Sequence, residues 1–123
     1  MEEKLAVSLQ EALQEGDTRA LQEVLEEVHP QDLLALWDEL EAEHRYVVLT
    51  LLPKAKAAEV LSHLSPEEQA EYLKTLPPWR LREILEELSL DDLADALQAV
   101  RKEDPAYFQR LKDLLDPRTR AEV

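Results

Sequence analysis

Apolar residues recur every twelve positions along the middle of this chain. Leu40, Leu52, Leu64, Leu76, Leu88 and Val100 form one column, and Trp37, Leu49, Leu61, Leu73, Leu85 and Leu97 a second. Leu36, Val48, Val60, Tyr72, Ile84 and Ala96 form a third. Leu33, Ala57, Leu81 and Leu93 complete an i, i+3, i+4, i+7 pattern, the signature of one helix face, and Arg45 and Gln69 break that last column. Twelve residues do not close a whole number of helical turns, so one continuous helix would carry the stripe out of register. The chain places breakers at the same phase: His29-Pro30, Leu52-Pro53, Ser65-Pro66, Pro77-Pro78 and Ser89-Leu90-Asp91. Proline suits the first turn of a helix and pushes the residue before it out of helical geometry. Ser65 with Glu68, and Ser89 with Asp92, read as N-cap pairs. Each repeat is therefore predicted to be a helix of about nine residues, roughly 13 Å long, ending in a sharp bend.

Helices this short are marginal in isolation, so neighbours must stack and bury the three columns together. That predicts an all-α fold, a superhelical solenoid of short, armadillo-like helices with repeats of about twelve residues over 29–100. Two longer helices are expected over 3–15 and 17–28, joined at Gly16, where glycine suits a helix end. Another is expected over 104–115, with Asp104-Pro105 as cap and first residue. Asp116-Pro117-Arg118 then reads as a fresh start, so 117–123 is expected to be the first part of a helix leading to a following domain. The whole of 1–123 is expected to be a single helical domain.

Composition narrows the function. The chain carries 28 acidic and 14 basic residues, a formal charge of −14, which argues against nucleic acid and anionic membranes as partners. There is no Cys, so disulfides, thiolate zinc sites and a Cys nucleophile are excluded together. Met1-Glu2-Glu3-Lys4 does not open a secretory signal, and the longest apolar run, 46–52, is far too short to span a membrane. Abundant Glu and Arg with no Asn resembles thermophile composition. No Gly-rich phosphate loop, nucleophile elbow or Ser–His–acid set is present, which points away from an enzyme.

With the apolar stripe fixed, the residues pointing away from it are Ala55 and Glu59, Glu67 and Glu71, Trp79 and Glu83, and Asp91 and Asp95. Glu59, Glu71, Glu83 and Asp95 align as a column of carboxylates with the same period of twelve. This face is either an ordinary solvated surface, where Glu is a good helix former, or a strip that attracts cations. Trp79 stands where the neighbouring repeats have Glu67 and Asp91. It either folds back over Pro78 or the next helix, or offers a contact point, with Glu83, to another domain. Trp37 belongs to the buried spine. His29, His44 and His63 fall near helix ends, as caps or surface positions. Lys54, Lys56, Arg80 and Arg82 are expected to pair with neighbouring acids at the surface, where such pairs add little.

The segments Leu-Ser-Pro-Glu-Glu-Gln-Ala-Glu-Tyr-Leu (64–73) and Leu-Ser-Leu-Asp-Asp-Leu-Ala-Asp-Ala-Leu (88–97) resemble the cytosolic N-terminal domain of MgtE-type magnesium transporters, and nearly the whole chain fits. The resemblance implies a cytoplasmic domain of an inner-membrane protein, not itself inserted in the membrane, preceding CBS modules and a magnesium-selective pore in a homodimeric full-length chain. It further implies regulatory Mg2+ held weakly between this domain and the CBS modules. The matching metal positions here are Glu59, Asp91 and, one turn on, Asp95, as half-sites that a partner completes. The alternative is a metal-independent protein-binding solenoid, similar to the middle segment of the flagellar motor switch protein FliG.

Overall fold

The computed structural model describes the backbone of residues 2–115 and 117–122, and within these the side chains of all but 2–6, 119 and 122. It is all-α, and among the described residues there is no strand. Among the described residues ten helices follow in order: α1 (Glu2–Glu15), α2 (Thr18–Glu27), α3 (Pro30–Leu36), α4 (Ala42–Leu51), α5 (Lys54–Ser62), α6 (Pro66–Thr75), α7 (Pro78–Glu87), α8 (Leu90–Glu103), α9 (Pro105–Lys112) and α10 (Pro117–Glu122), with a 3-10 turn over Trp37–Glu39. They gather into two compact units, Met1–Val60 and Leu61–Val123.

Helix starts follow the sequence closely. Asp17, Ser65, Ser89 and Asp104 each accept the backbone N–H of the third residue on, at 3.1–3.2 Å. Pro30, Pro66, Pro78 and Pro105 stand at the first helical position, where no N–H is needed. Asp116, the expected cap of α10, lies outside the described residues. Gly16 closes α1 with φ +67, while the amides of Gly16 and Asp17 donate to the carbonyls of Leu13 and Ala12. That arrangement is a Schellman cap, and it is the left-handed residue that makes glycine the fit choice.

In the first unit α1 packs on α2 and α2 on α4. Its core is built from Leu9, Leu21, Leu25, Leu33, Trp37, Val48, Leu49, Leu52 and Ala57, all buried. The expected repeat helix over 33–40 is split: α3 stops at Leu36 and the chain tightens into the 3-10 turn. Arg45 is the reason this turn is tolerated. Its Nε donates to the Trp37 carbonyl at 2.9 Å, and its guanidinium lies 5.9 Å from the Trp37 ring centre. Lys56, expected to pair with an acid, instead donates its ammonium to the backbone carbonyl of Glu26 in the last turn of α2.

In the second unit α6 packs on α8 and α8 on α9. Leu61, Leu73, Ile84, Leu85, Leu93, Leu97 and Val100 are buried there, while Leu64 and Leu88 are half-buried. Gln69, the other break in the apolar pattern, is 6% exposed, and its Nε2 donates to the Leu61 carbonyl at 2.9 Å. α8 runs 14 residues rather than about nine, because Arg101-Lys102 stands where earlier repeats carry a breaker and the helix continues to Asp104-Pro105. α9 is tied to the end of α6 by the Tyr107 hydroxyl, which donates to the Leu73 carbonyl at 2.7 Å, and by Lys74 and Asp104 at 3.6 Å.

Two stability outcomes follow from these contacts. Gln69→Ala removes a buried hydrogen bond and leaves a small void, so urea unfolding should show a loss of about 1–2 kcal/mol. The Asp104 carboxyl is held below its ordinary value, first by the Tyr107 backbone N–H and further by Lys74 and Arg110, against opposing desolvation. A carboxyl whose pKa is depressed on folding contributes stability above its unfolded pKa, and that contribution fades as pH falls through the folded value. Asp104→Asn keeps the cap acceptor and removes the charge. The stability gap between wild type and this variant should be flat from neutral pH to about pH 4 and close below it. A gap that persists at about pH 2.5 would contradict the assignment.

Candidate functional site

The residues read as facing outward do so, except Glu83. Ala55, Glu59, Glu67, Glu71, Asp91 and Asp95 are exposed, and Trp79 is 59% exposed, which decides for its outward orientation. Leu90, at 50%, stands exposed at the start of α8, a position the sequence reading passed over. Glu59 lies on α5 in the first unit, while Glu67, Glu71, Trp79, Glu83, Asp91 and Asp95 lie in the second.

Asp91 sits in the first turn of α8, where the helix dipole favours a negative charge, and Asp95 follows one turn on along the same face. Among the described residues no hydrogen bond or ion pair holds either carboxylate. Asp92, between them in sequence, is half-buried, and its amide is taken by the Ser89 hydroxyl at 3.1 Å. Asp95 also stands on the rim of a depression of about 310 Å³, which Ser62, Gln69, Gln98 and Lys102 help to line.

Glu83 differs from the rest of its column. It is half-buried, and its Oε1 accepts from Arg80 Nη1 at 3.2 Å. Arg80 was expected in a surface pair, but it is 4% exposed. The sequence did hold a signal for this. Glu68 and Asp92 occupy the same position in their repeats and follow a Ser cap, whereas α7 has Pro77 as its cap, which accepts nothing by a side chain. Without a capping role, position 80 is free to turn inward. The column of carboxylates is thus broken at Glu83, whose charge is engaged within its own helix.

Among the described residues no three His, Asp or Glu side chains come close enough to hold a metal ion. Asp91 and Asp95 on α8 are a pair of hard oxygen donors one turn apart, Glu67 and Glu71 stand likewise exposed on α6, and Glu59 is a separate exposed carboxylate in the first unit. His29 and His63 are exposed, and His44 is half-buried with Nδ1 lacking a partner among the described residues. No helix among the described residues is long and apolar enough to cross a membrane.

Helices, caps and exposed acids together define an all-α acidic module. A family profile described as the MgtE intracellular N domain matches residues 28–123, and the chain belongs to that family. It is 97% identical over 123 residues to the magnesium transporter MgtE of Thermus thermophilus, covering 100% of this chain and 27% of that protein. Among solved structures, the crystal structure of the cytosolic domain of the Mg2+ channel MgtE in complex with ATP matches with a TM-score of 0.92 at 96% identity, over 95% of this chain and 47% of that one. The chain therefore spans about a quarter of the length of the curated relative it matches. That relative is a transporter rather than an enzyme, and the cytoplasmic setting expected from the sequence agrees with the family and structural descriptions.

The difference between Glu83 and Asp95 can be measured. Glu83→Gln removes one charged partner of the buried Arg80 guanidinium and should lower unfolding stability by about 1 kcal/mol, the pair being half exposed to solvent. Asp95→Asn has no such partner to lose and relieves repulsion with Asp91. It should be neutral or stabilising by about 0.2–0.5 kcal/mol.

Proposed function

We propose that this chain is the magnesium-sensing regulatory domain of a longer magnesium transporter or channel. Its acidic face shares Mg2+ with adjacent CBS modules of the same full-length, homodimeric chain and so favours a closed pore when magnesium is plentiful. The observation that carries the reading is the state of Asp91 and Asp95: exposed, one helical turn apart, and unpaired among the described residues. Glu59, exposed on α5, is the third candidate donor. Family membership supports the setting, since the curated relative is a magnesium transporter nearly four times as long as this chain.

Magnesium surrenders its water reluctantly and takes one or two carboxylates from a protein, which fits a face that offers two acids on one helix and no third beside them. When bound, the ion supplies positive charge between two acidic surfaces. The rest is done by the chain's own residues. Asp91 and Asp95 repel an acidic neighbour over about one Debye length, some 8 Å at physiological salt, so at low magnesium the domain stands off from it. Neutralised, they no longer oppose contact, and the balance moves to the compact state. Trp79, exposed on α7, offers a further apolar contact to an approaching surface.

Trp79 also favours a second reading, a protein-binding module that needs no ion. Valence separates the two. If the acids meet basic side chains, any salt weakens the contact. If they share magnesium, MgCl2 strengthens it beyond its effect as an electrolyte.

The test compares this chain with the longer cytosolic chain that includes the CBS modules. Calorimetry should show weak, non-stoichiometric magnesium binding to the 123-residue chain. X-ray scattering of the longer chain should show compaction with magnesium, and Asp91→Asn with Asp95→Asn should raise its midpoint concentration about fivefold. Tight stoichiometric binding by the short chain, or an unmoved midpoint in the double variant, would overturn the shared-site reading.

A further inference from the structure

α10 (Pro117–Glu122) has six residues, too few to hold a helix in water. Arg120, in its middle, reaches back to the end of α9. Its Nε donates to the Lys112 carbonyl at 3.0 Å, and its Nη2 to the carbonyls of Leu115 at 3.1 Å and Asp113 at 3.3 Å. These carbonyls belong to the last turn of α9 and the bend after it, where the ladder gives way to i→i+3 bonds and the Lys112 carbonyl also accepts from the Leu115 N–H. A planar guanidinium can serve several such acceptors at once, whereas an ammonium is a point charge. The bend itself contains no glycine and is wound by Leu114 N–H to Leu111 and Leu115 N–H to Lys112, at 3.0 and 3.1 Å. Upstream, α9 is tied to α6 through Tyr107 and Leu73 and through Asp104 and Lys74. Named bonds therefore run from α6 to α9 and from α9 to α10.

We infer that α10 moves as one body with α6 and α9, that Arg120 is the positioning residue holding it so, and that any pivot between this unit and a following domain lies beyond α10 rather than in the bend after α9. The inference deepens the regulatory reading and rests on it only for the purpose of the pivot; the clamp is a property of this chain alone. A six-residue helix locked in direction gives the acidic face a restricted set of orientations toward whatever follows. Released, the same face would search a wider set, and more magnesium would be needed to bring it to its partner.

Hydrogen exchange on the 123-residue chain tests the clamp directly, comparing wild type with Arg120→Ala and Arg120→Lys. Amides within 113–122 should exchange about tenfold faster in both variants, because lysine cannot fork across three carbonyls, while those of 90–103 keep their protection. Unprotected amides over 113–122 in the wild type, unchanged exchange in Arg120→Ala, or loss of protection spread over the whole chain in both variants would each overturn the inference. In the longer cytosolic chain, Arg120→Ala should raise the magnesium midpoint of compaction about threefold. If the clamp is protected as expected but magnesium causes no compaction, the regulatory reading fails and the clamp stands. If compaction is normal while α10 is unprotected, the clamp fails and the regulatory reading stands.

Discussion

Every helix end leaves backbone groups without partners, four donors at its start and four acceptors at its finish. A fold made of helices of six to fourteen residues multiplies these ends, and how they are satisfied governs most of what is seen here. Starts are served locally, by proline that brings no N–H and by Ser or Asp oxygens three residues away. Finishes are served partly by local backbone bonds, such as the Gly16 cap of α1, and partly by side chains from farther along the chain. The Trp37 carbonyl is met by Arg45, the Leu61 carbonyl by Gln69, and the Leu73 carbonyl by Tyr107 from α9. All three acceptors belong to one apolar column, so the column that fills the core with side chains also presents carbonyls to side-chain donors, beside the Leu40 and Leu64 amides that reach Trp37 and Leu61.

This asymmetry explains what could be read from the sequence. Periodicity, proline phase and cap residues are local signals, and they gave the helix starts, the glycine stop after α1, and the buried identity of Trp37 and the leucine columns. The polar breaks at Arg45 and Gln69 looked like flaws in the pattern. They are 24 residues apart and each reaches a carbonyl eight residues behind it, so they perform one task twice. The task was illegible because it depends on which carbonyl a bend brings within reach, a matter of tertiary geometry. Arg80 was misjudged for a related reason: a charge near a helix start reads as surface, and only the loss of a serine cap before it hinted otherwise.

The acidic face follows the same division. Orientation of Glu59, Asp91, Asp95 and Trp79 was fixed by helical phase alone, and each is exposed as phase requires. Availability was not fixed by phase. Glu83 has the same phase as Asp95, yet it is engaged by a buried guanidinium, while Asp95 has no partner among the described residues. An even column in sequence becomes, in the folded chain, an uneven set of charges, with Glu83 engaged while Asp95 is exposed.

The clasp of Arg45 and Gln69 onto carbonyls eight residues behind them also constrains how such a chain could change its length over time. One inserted residue would turn the following side chains by about 100° around the helix axis and swing the donor off its acceptor. Deleting one would do the same in the other direction. A duplication or loss of two whole repeats, by contrast, would bring a fresh donor back to a fresh carbonyl. Lineages of this domain should therefore differ by helix pairs or within the exposed bends, and single-residue gaps inside its helices should be rare.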